Sequence, residues 1–172
     1  ATPAAVITFS QAPDRVSALT DDDEAGLDKA VPFELAASDG QTVSLDKTLA
    51  DGDVLLYFSM GVGCDGCFAQ IPELEAAMTA RGITLLPIMV SPAPAVAAEA
   101  ARFGIEGPIL IDPDARISTA YGMVGIYGHG DRPSHSFALV RQNGDIAWVR
   151  HYAEMFVAAE ALISELDATL QP

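Results

Sequence analysis

The chain carries two cysteines, two residues apart, as Cys64-Asp65-Gly66-Cys67. Thiols at this spacing can close a small disulfide ring or open to a dithiol. An apolar run, Val54-Leu55-Leu56-Tyr57-Phe58, precedes them, and a helix-like run follows. That context places a thiol at a helix N-terminus, where backbone N–H groups and the helix dipole favour the reactive thiolate. The first reading is a dithiol/disulfide redox domain with no cofactor beyond the Cys64–Cys67 pair. Cys64, at the exposed helix start, is the expected attacking sulfur. Cys67, one turn in and more buried, would resolve a mixed disulfide. Half of a zinc site and a pair of inert thiols are the competing readings. A zinc site needs four ligands, and only His129, His135 and His151, all distant in sequence, could complete it.

Several nearby residues could support this chemistry, each with a plainer alternative. Asp65 puts a negative charge beside the thiol, which disfavours the thiolate and makes the pair less oxidising; its other reading is a helix N-cap. His135 could stabilise a thiolate or relay its proton, with an ordinary pKa of about 6.5, or could be a surface or hydrogen-bonded histidine. Ile126 and Tyr127 lie in a glycine-rich loop from Gly122 to Pro133, as substrate contacts or as part of a plain connection. The loop has no strand–turn–helix context, so its glycines are no dinucleotide fingerprint. His129 reads as solvated, His151 as structural, Trp148 and Tyr152 as packing residues.

The elements that must position these residues alternate in type. Val31–Leu35 and Thr42–Leu45 flank Asp39-Gly40 as a hairpin. Val54–Phe58 is a strand covered on both faces. Residues 65–80 have one helical period, through Ile71, Leu74, Ala77 and Met78, closed by Arg81-Gly82. A strand over Ile83–Val90, a helix over Ala93–Phe103, a short strand at Ile109–Ile111 and a turn or two of helix at Ile117–Tyr121 follow. Ser136–Val140 and Ile146–Val149 form a hairpin around Asn143-Gly144, and a last helix spans about Phe156–Leu170. This order predicts an α/β fold: a mixed central sheet with helices on both faces and an N-terminal β-hairpin.

Composition bounds the partners. The 172 residues carry a formal net charge of −15, with nine Lys and Arg in all. Nucleic acid is not an expected partner, because phosphate neutralisation needs clustered basic residues. Nor is anionic lipid. No apolar run reaches the ~18–20 residues that span a bilayer, so direct membrane insertion is not expected. Residues 1–28, rich in Ala and Pro and holding Asp21-Asp22-Asp23-Glu24, read as a flexible acidic tail or linker; residues 29–172 read as the redox domain.

The stretch from Tyr57-Phe58 through Cys64-Asp65-Gly66-Cys67 to Ile71-Pro72-Glu73-Leu74-Glu75 resembles the redoxin branch of the thioredoxin superfamily. That branch holds the TlpA/ResA-like thiol–disulfide oxidoreductases and the AhpC/TSA-type peroxiredoxins. Pro72 falls five residues after the second cysteine, as in TlpA-like proteins. Phe137-Ala138-Leu139-Val140 with Asn143-Gly144-Asp145-Ile146 looks like the family's closing hairpin. The resemblance, over roughly residues 29–170, implies a thioredoxin-like fold and exchange with a protein disulfide or dithiol, fed by an electron donor the sequence does not name. It also implies an active-site proline, commonly cis and facing the cysteines. Pro133 is the candidate, but it lies four residues before Phe137 instead of three, and Ser134 holds the expected place. Gly63 replaces the usual Trp, Gly66 the usual proline, and the loop from Phe58 to Cys64 is one residue longer. Peroxiredoxins carry a Thr three residues before the reactive cysteine; Gly61 stands there, which ranks disulfide exchange above peroxide reduction. A non-catalytic interaction domain is the third class. TlpA-like relatives are commonly extracytoplasmic, so an exported domain facing the periplasm or cell exterior, free or membrane-anchored, is the expectation for location. The expected substrate-facing patch gathers Met60, Val62, Ile126 and Tyr127 around the thiol.

Overall fold

The computed structural model describes residues 27–171. The tail assigned to residues 1–28 therefore falls almost wholly outside the described residues. Strand β1 (Glu34–Ala36) pairs antiparallel with β2 (Thr42–Ser44). Their turn is built as its residues demand: Asp39 accepts from the Gln41 N–H at 3.0 Å, and Gly40 takes a φ of +84°. Leu45 does not extend β2. It begins helix α1 (Leu45–Leu49), one turn capped by Ser44, which the sequence reading missed.

Strands β3 (Val54–Ser59), β4 (Thr84–Met89), β5 (Leu110–Ile111), β6 (His135–Val140) and β7 (Ile146–Tyr152) form one sheet in the order β5-β4-β3-β6-β7. β3 pairs parallel with β4, and β4 with β5; β6 runs antiparallel to both β3 and β7. The sheet is mixed, as expected, and the fold is thioredoxin-like. Every residue of β3 is buried. Leu55 and Tyr57 point into one core, Val54, Leu56 and Phe58 into the other.

The helices divide between these cores. Helices α2 (Asp65–Ala69), α3 (Ile71–Thr79), α4 (Ala93–Arg102) and α6 (Ala159–Leu170) put Phe68, Ile71, Val96 and Leu162 against Tyr57 and Phe137. Leu45 and Leu49 of α1 and Ile117 of α5 (Arg116–Ala120) pack on the opposite face.

Two expected boundaries moved. The single helix over 65–80 is broken at Gln70 into α2 and α3. Pro72 has no N–H for the Phe68 carbonyl, and its ring crowds that oxygen, so one continuous helix cannot form. The last helix starts at Ala159, not near Phe156. Residues 153–158 form a non-helical segment in which Phe156 is 50% exposed.

The chain leaves β5 at Asp112, whose 1%-exposed carboxylate closes the start of α5. It accepts from the N–H of Ile117 at 3.2 Å and of Ser118 at 2.8 Å, and from the Ser118 hydroxyl at 2.9 Å. Asp112→Ala would strand three donors, two of them on a wholly buried residue. It should cost about 3 kcal/mol of stability in urea unfolding. A loss below about 0.5 kcal/mol would show that the donors find other partners.

Candidate active site

Cys64 and Cys67 are joined by a disulfide, with their Cα atoms 5.3 Å apart. Cys64 is the N-cap of α2. Its sulfur accepts from the Cys67 N–H at 3.3 Å, and its carbonyl accepts from the same N–H at 3.1 Å. The loop before it needs glycine. Gly63 sits at φ +99°, a conformation that strains a Trp backbone, so the departure from the family pattern has a local cause. At Gly61 a Cβ would fall 2.6 Å from the Ser91 hydroxyl oxygen, which accepts from the Val62 N–H at 3.0 Å.

Neither sulfur is open. Cys67 is 0% exposed, as expected for the inner cysteine, but Cys64 is only 6% exposed, and its expected exposure is corrected. The cover comes from the segment between β7 and α6. The Met155 sulfur lies 3.7 Å from the Cys64 sulfur. This is a sulfur–sulfur contact and not a hydrogen bond, since a disulfide sulfur carries no proton. The segment also presses on α2: a Cβ at Gly66 would lie 2.9 Å from the Met155 carbonyl oxygen. A proline at that position would meet the same obstacle. Gln70, buried at the break between α2 and α3, accepts the Val157 N–H through its side-chain oxygen at 3.1 Å. Met155, Gly66 and Gln70 were not singled out as site residues from sequence.

Asp65 does not cap the helix, because Cys64 holds that place. It sits in the first turn, and its carboxylate meets Arg102 at 3.0 Å. The pair is exposed, so solvent screens it, and Arg102 in turn offsets the charge beside the disulfide.

Under the disulfide lies an aromatic cluster. The buried Tyr57 hydroxyl donates to the Cys67 carbonyl at 3.0 Å, and its ring stacks on Phe137 with centroids 4.8 Å apart. Burial pushes the Tyr57 hydroxyl well above the usual phenol range. His135 meets Tyr57 edge-on at 5.1 Å and packs on Phe137 and Tyr152. It is 1% exposed, and neither ring nitrogen has a hydrogen-bond partner among the described residues. Desolvation draws its pKa down to about 4. The ring is uncharged at neutral pH, so neither the surface reading nor a cation beside a thiolate describes it.

The other expected residues are spread more widely. The described peptide bonds include no cis bond, so of the two readings open for Pro133, a cis active-site proline or an ordinary trans turn proline, the structure has the trans one. The one-residue offset explains this: Ser134 holds the key position and spends its N–H on the Met123 carbonyl at 3.1 Å, where a proline would have none. The Ser134 hydroxyl meets that of Ser136 at 3.1 Å, and Ser136 meets His151 Nδ1 at 2.7 Å. Alternation along β6 sets Ser136 on the face opposite His135 and Phe137. Tyr127 is 57% exposed at φ +53°, and its side chain makes no hydrogen bond or ring contact with the described residues. The structure thus links His135 to the disulfide through Tyr57, and it supplies no such link for Tyr127.

A thioredoxin-like fold with a Cys-x-x-Cys disulfide at a helix start defines the class. The redoxin family profile matches residues 12–159 of the 172, and the chain belongs to the redoxin family, as an oxidoreductase. No curated protein sequence matches it significantly. Among solved structures it is similar to the peroxidoxin BcpB from Mycobacterium tuberculosis, at 21% identity and a TM-score of 0.68, over 84% of this chain and 95% of that one. It is also similar to AhpC from Enterococcus faecalis, at 18% identity and a TM-score of 0.69, over 84% and 91%. A third is the solution structure of a proposed protein disulfide isomerase from Bacteroides thetaiotaomicron, at 21% identity and a TM-score of 0.63, over 84% and 89%. At these identities the likeness is one of fold.

His135 gives the site a pH signature. Its folded pKa of about 4 lies below the ordinary 6.5, so the unfolded chain takes up the proton first as pH falls. Stability contributed by the neutral ring is therefore complete above pH 6.5 and is lost progressively down to about pH 4. Between pH 7 and pH 5 this ring should remove about 2 kcal/mol, and His135→Phe should abolish that share of the loss. Urea unfolding of both proteins at the two pH values tests it; equal losses would show that His135 does not carry the effect.

Proposed function

We propose that the protein is a thiol–disulfide oxidoreductase that exchanges electrons with a protein disulfide through Cys64 and Cys67. The carrying observation is the disulfide between these two residues at the start of α2. In the reduced protein, the Cys64 thiolate attacks one sulfur of the partner disulfide. A Cys64–partner bond forms, the partner S–S bond breaks, and the second partner sulfur leaves as a thiolate and takes a proton. The Cys67 thiolate then attacks the Cys64 sulfur, re-forms the Cys64–Cys67 bond and frees the partner as a dithiol. Two electrons pass to the partner, and a dithiol donor of the thioredoxin type restores them. The N–H of Cys67, 3.3 Å from the Cys64 sulfur, is placed to support charge on that atom. No cofactor beyond the pair is needed. With a net charge of −15, the protein should dock faster with neutral or basic partners than with acidic ones.

Burial of Cys64 favours a second reading, a thiol peroxidase, because a hydroperoxide is small enough to enter where a protein loop is not. The Cys64 thiolate would take the terminal peroxide oxygen, becoming a sulfenic acid as water or an alcohol leaves. Cys67 would displace that oxygen as water and yield the same disulfide. Against it, Gly61 supplies no hydroxyl to orient the peroxide.

Both activities can be measured with one donor, for the wild type and Cys64→Ser. Turnover of a protein disulfide is expected, reduced at least about 100-fold by the substitution. Peroxide consumption with negligible disulfide exchange would install the second reading. Absence of both would leave an interaction domain.

A further inference from the structure

We propose that Met155 controls access to the Cys64 sulfur, and that its side chain must leave before a partner sulfur can react. The proposal rests on the exchange reading of Cys64. Thiol–disulfide exchange needs the incoming sulfur in bonding contact with the sulfur attacked. The Met155 sulfur occupies contact distance, 3.7 Å from the Cys64 sulfur, and Cys64 is left 6% exposed. A partner sulfur therefore cannot meet Cys64 while Met155 stays in place.

The cover is both placed and releasable. Its ends are fixed, by the buried Tyr152 and by Ala159, which is 3% exposed. Between them, the Val157 N–H bonds the buried Gln70 side chain at 3.1 Å, and the Val157 side chain packs against the core. The absence of a side chain at Gly66 lets the Met155 backbone lie directly on α2. The remaining hold is slight: Glu154 is exposed, and Phe156 is 50% exposed. Methionine is unbranched, with three rotatable bonds, so it can swing off the sulfur without the backbone moving. The closing residue is adapted to opening.

The test follows reduction of the Cys64–Cys67 disulfide itself, in the full chain, by dithiothreitol. Samples are quenched with an alkylating reagent and alkylated thiols are counted by mass. The reacting thiolate forms a bond to one disulfide sulfur, the other leaves as a thiolate, and the second dithiothreitol thiol completes the transfer of two electrons. Met155→Ala should raise the rate about fivefold or more, and Gln70→Ala, which removes the tether, should also raise it. Met155→Leu, of similar volume, should stay within about twofold of the wild type. Leu49→Ala, on the opposite face of the sheet, should lower stability without speeding reduction. The proposal falls if Met155→Ala reacts at the wild-type rate, if Met155→Leu is as fast as Met155→Ala, or if Leu49→Ala speeds reduction equally. Turnover of a protein disulfide, measured alongside, separates the two claims. Normal wild-type turnover with no Met155→Ala effect on reduction sinks the cover alone. A clear Met155→Ala effect with no turnover of disulfide or peroxide by any variant sinks the exchange reading alone.

Discussion

The Tyr57 hydroxyl cannot stay unpaired. It sits at the centre of a strand buried on both faces, where a stranded hydroxyl would cost roughly 1–3 kcal/mol. Its acceptor is the Cys67 carbonyl at 3.0 Å. That one bond ties the redox helix to the middle of the sheet. Phe137 stacks beneath the ring, His135 meets it edge-on, and Tyr152 packs in turn against Phe137, so β3, β6 and β7 all contribute to the packing under Cys67. The disulfide is thus held from below by packed aromatics and covered from above by the segment that carries Met155.

The departures of the motif from its relatives follow from that segment and from the loop beneath it. A residue larger than glycine at position 66 would strike the Met155 backbone, and a side chain at 63 would strain a backbone at φ +99°. The common Pro of the motif is therefore incompatible with this way of covering the sulfurs, and the common Trp with the backbone of the loop before them. Gln70 belongs to the same arrangement. The helix break that Pro72 imposes sets Gln70 at the junction of α2 and α3, where its buried amide has one clear task, to hold Val157.

What the sequence disclosed was local, and what it hid was distant. The Cys-x-x-Cys, the apolar run of β3, and the Asp39-Gly40 and Asn143-Gly144 turns each carry their signal within a few residues. The contact of Met155 with Cys64 spans 91 positions and exists only because β7 is laid beside β6 and β6 beside β3. No periodicity encodes that. The start of α6 misled for a related reason: Val157 packs into the same core as the helix, so the apolar pattern outlasts the helix, while Ala158 is extended at ψ 133°. The split of α2 from α3 was present in Pro72 itself. It was hidden by a helical period that continues across the break, because both pieces bury the same face.

The wall around the sulfurs also bears on their electrons. Cys64 has the Cys67 N–H to support a negative charge, whereas Cys67 is fully buried among apolar and aromatic groups. Burial drives Tyr57, which bonds the Cys67 carbonyl, upward and its neighbour His135 downward, and both outcomes leave the side chain neutral at pH 7. Neither supplies a countercharge. Asp65 adds none of the right sign, and its exposed pairing with Arg102 leaves little net field. A separated thiolate at Cys67 is therefore poorly supported, and the sulfur is better accommodated protonated or bonded to Cys64. In the exchange proposed for this pair, a wall that withholds stabilisation from the reduced form favours the disulfide.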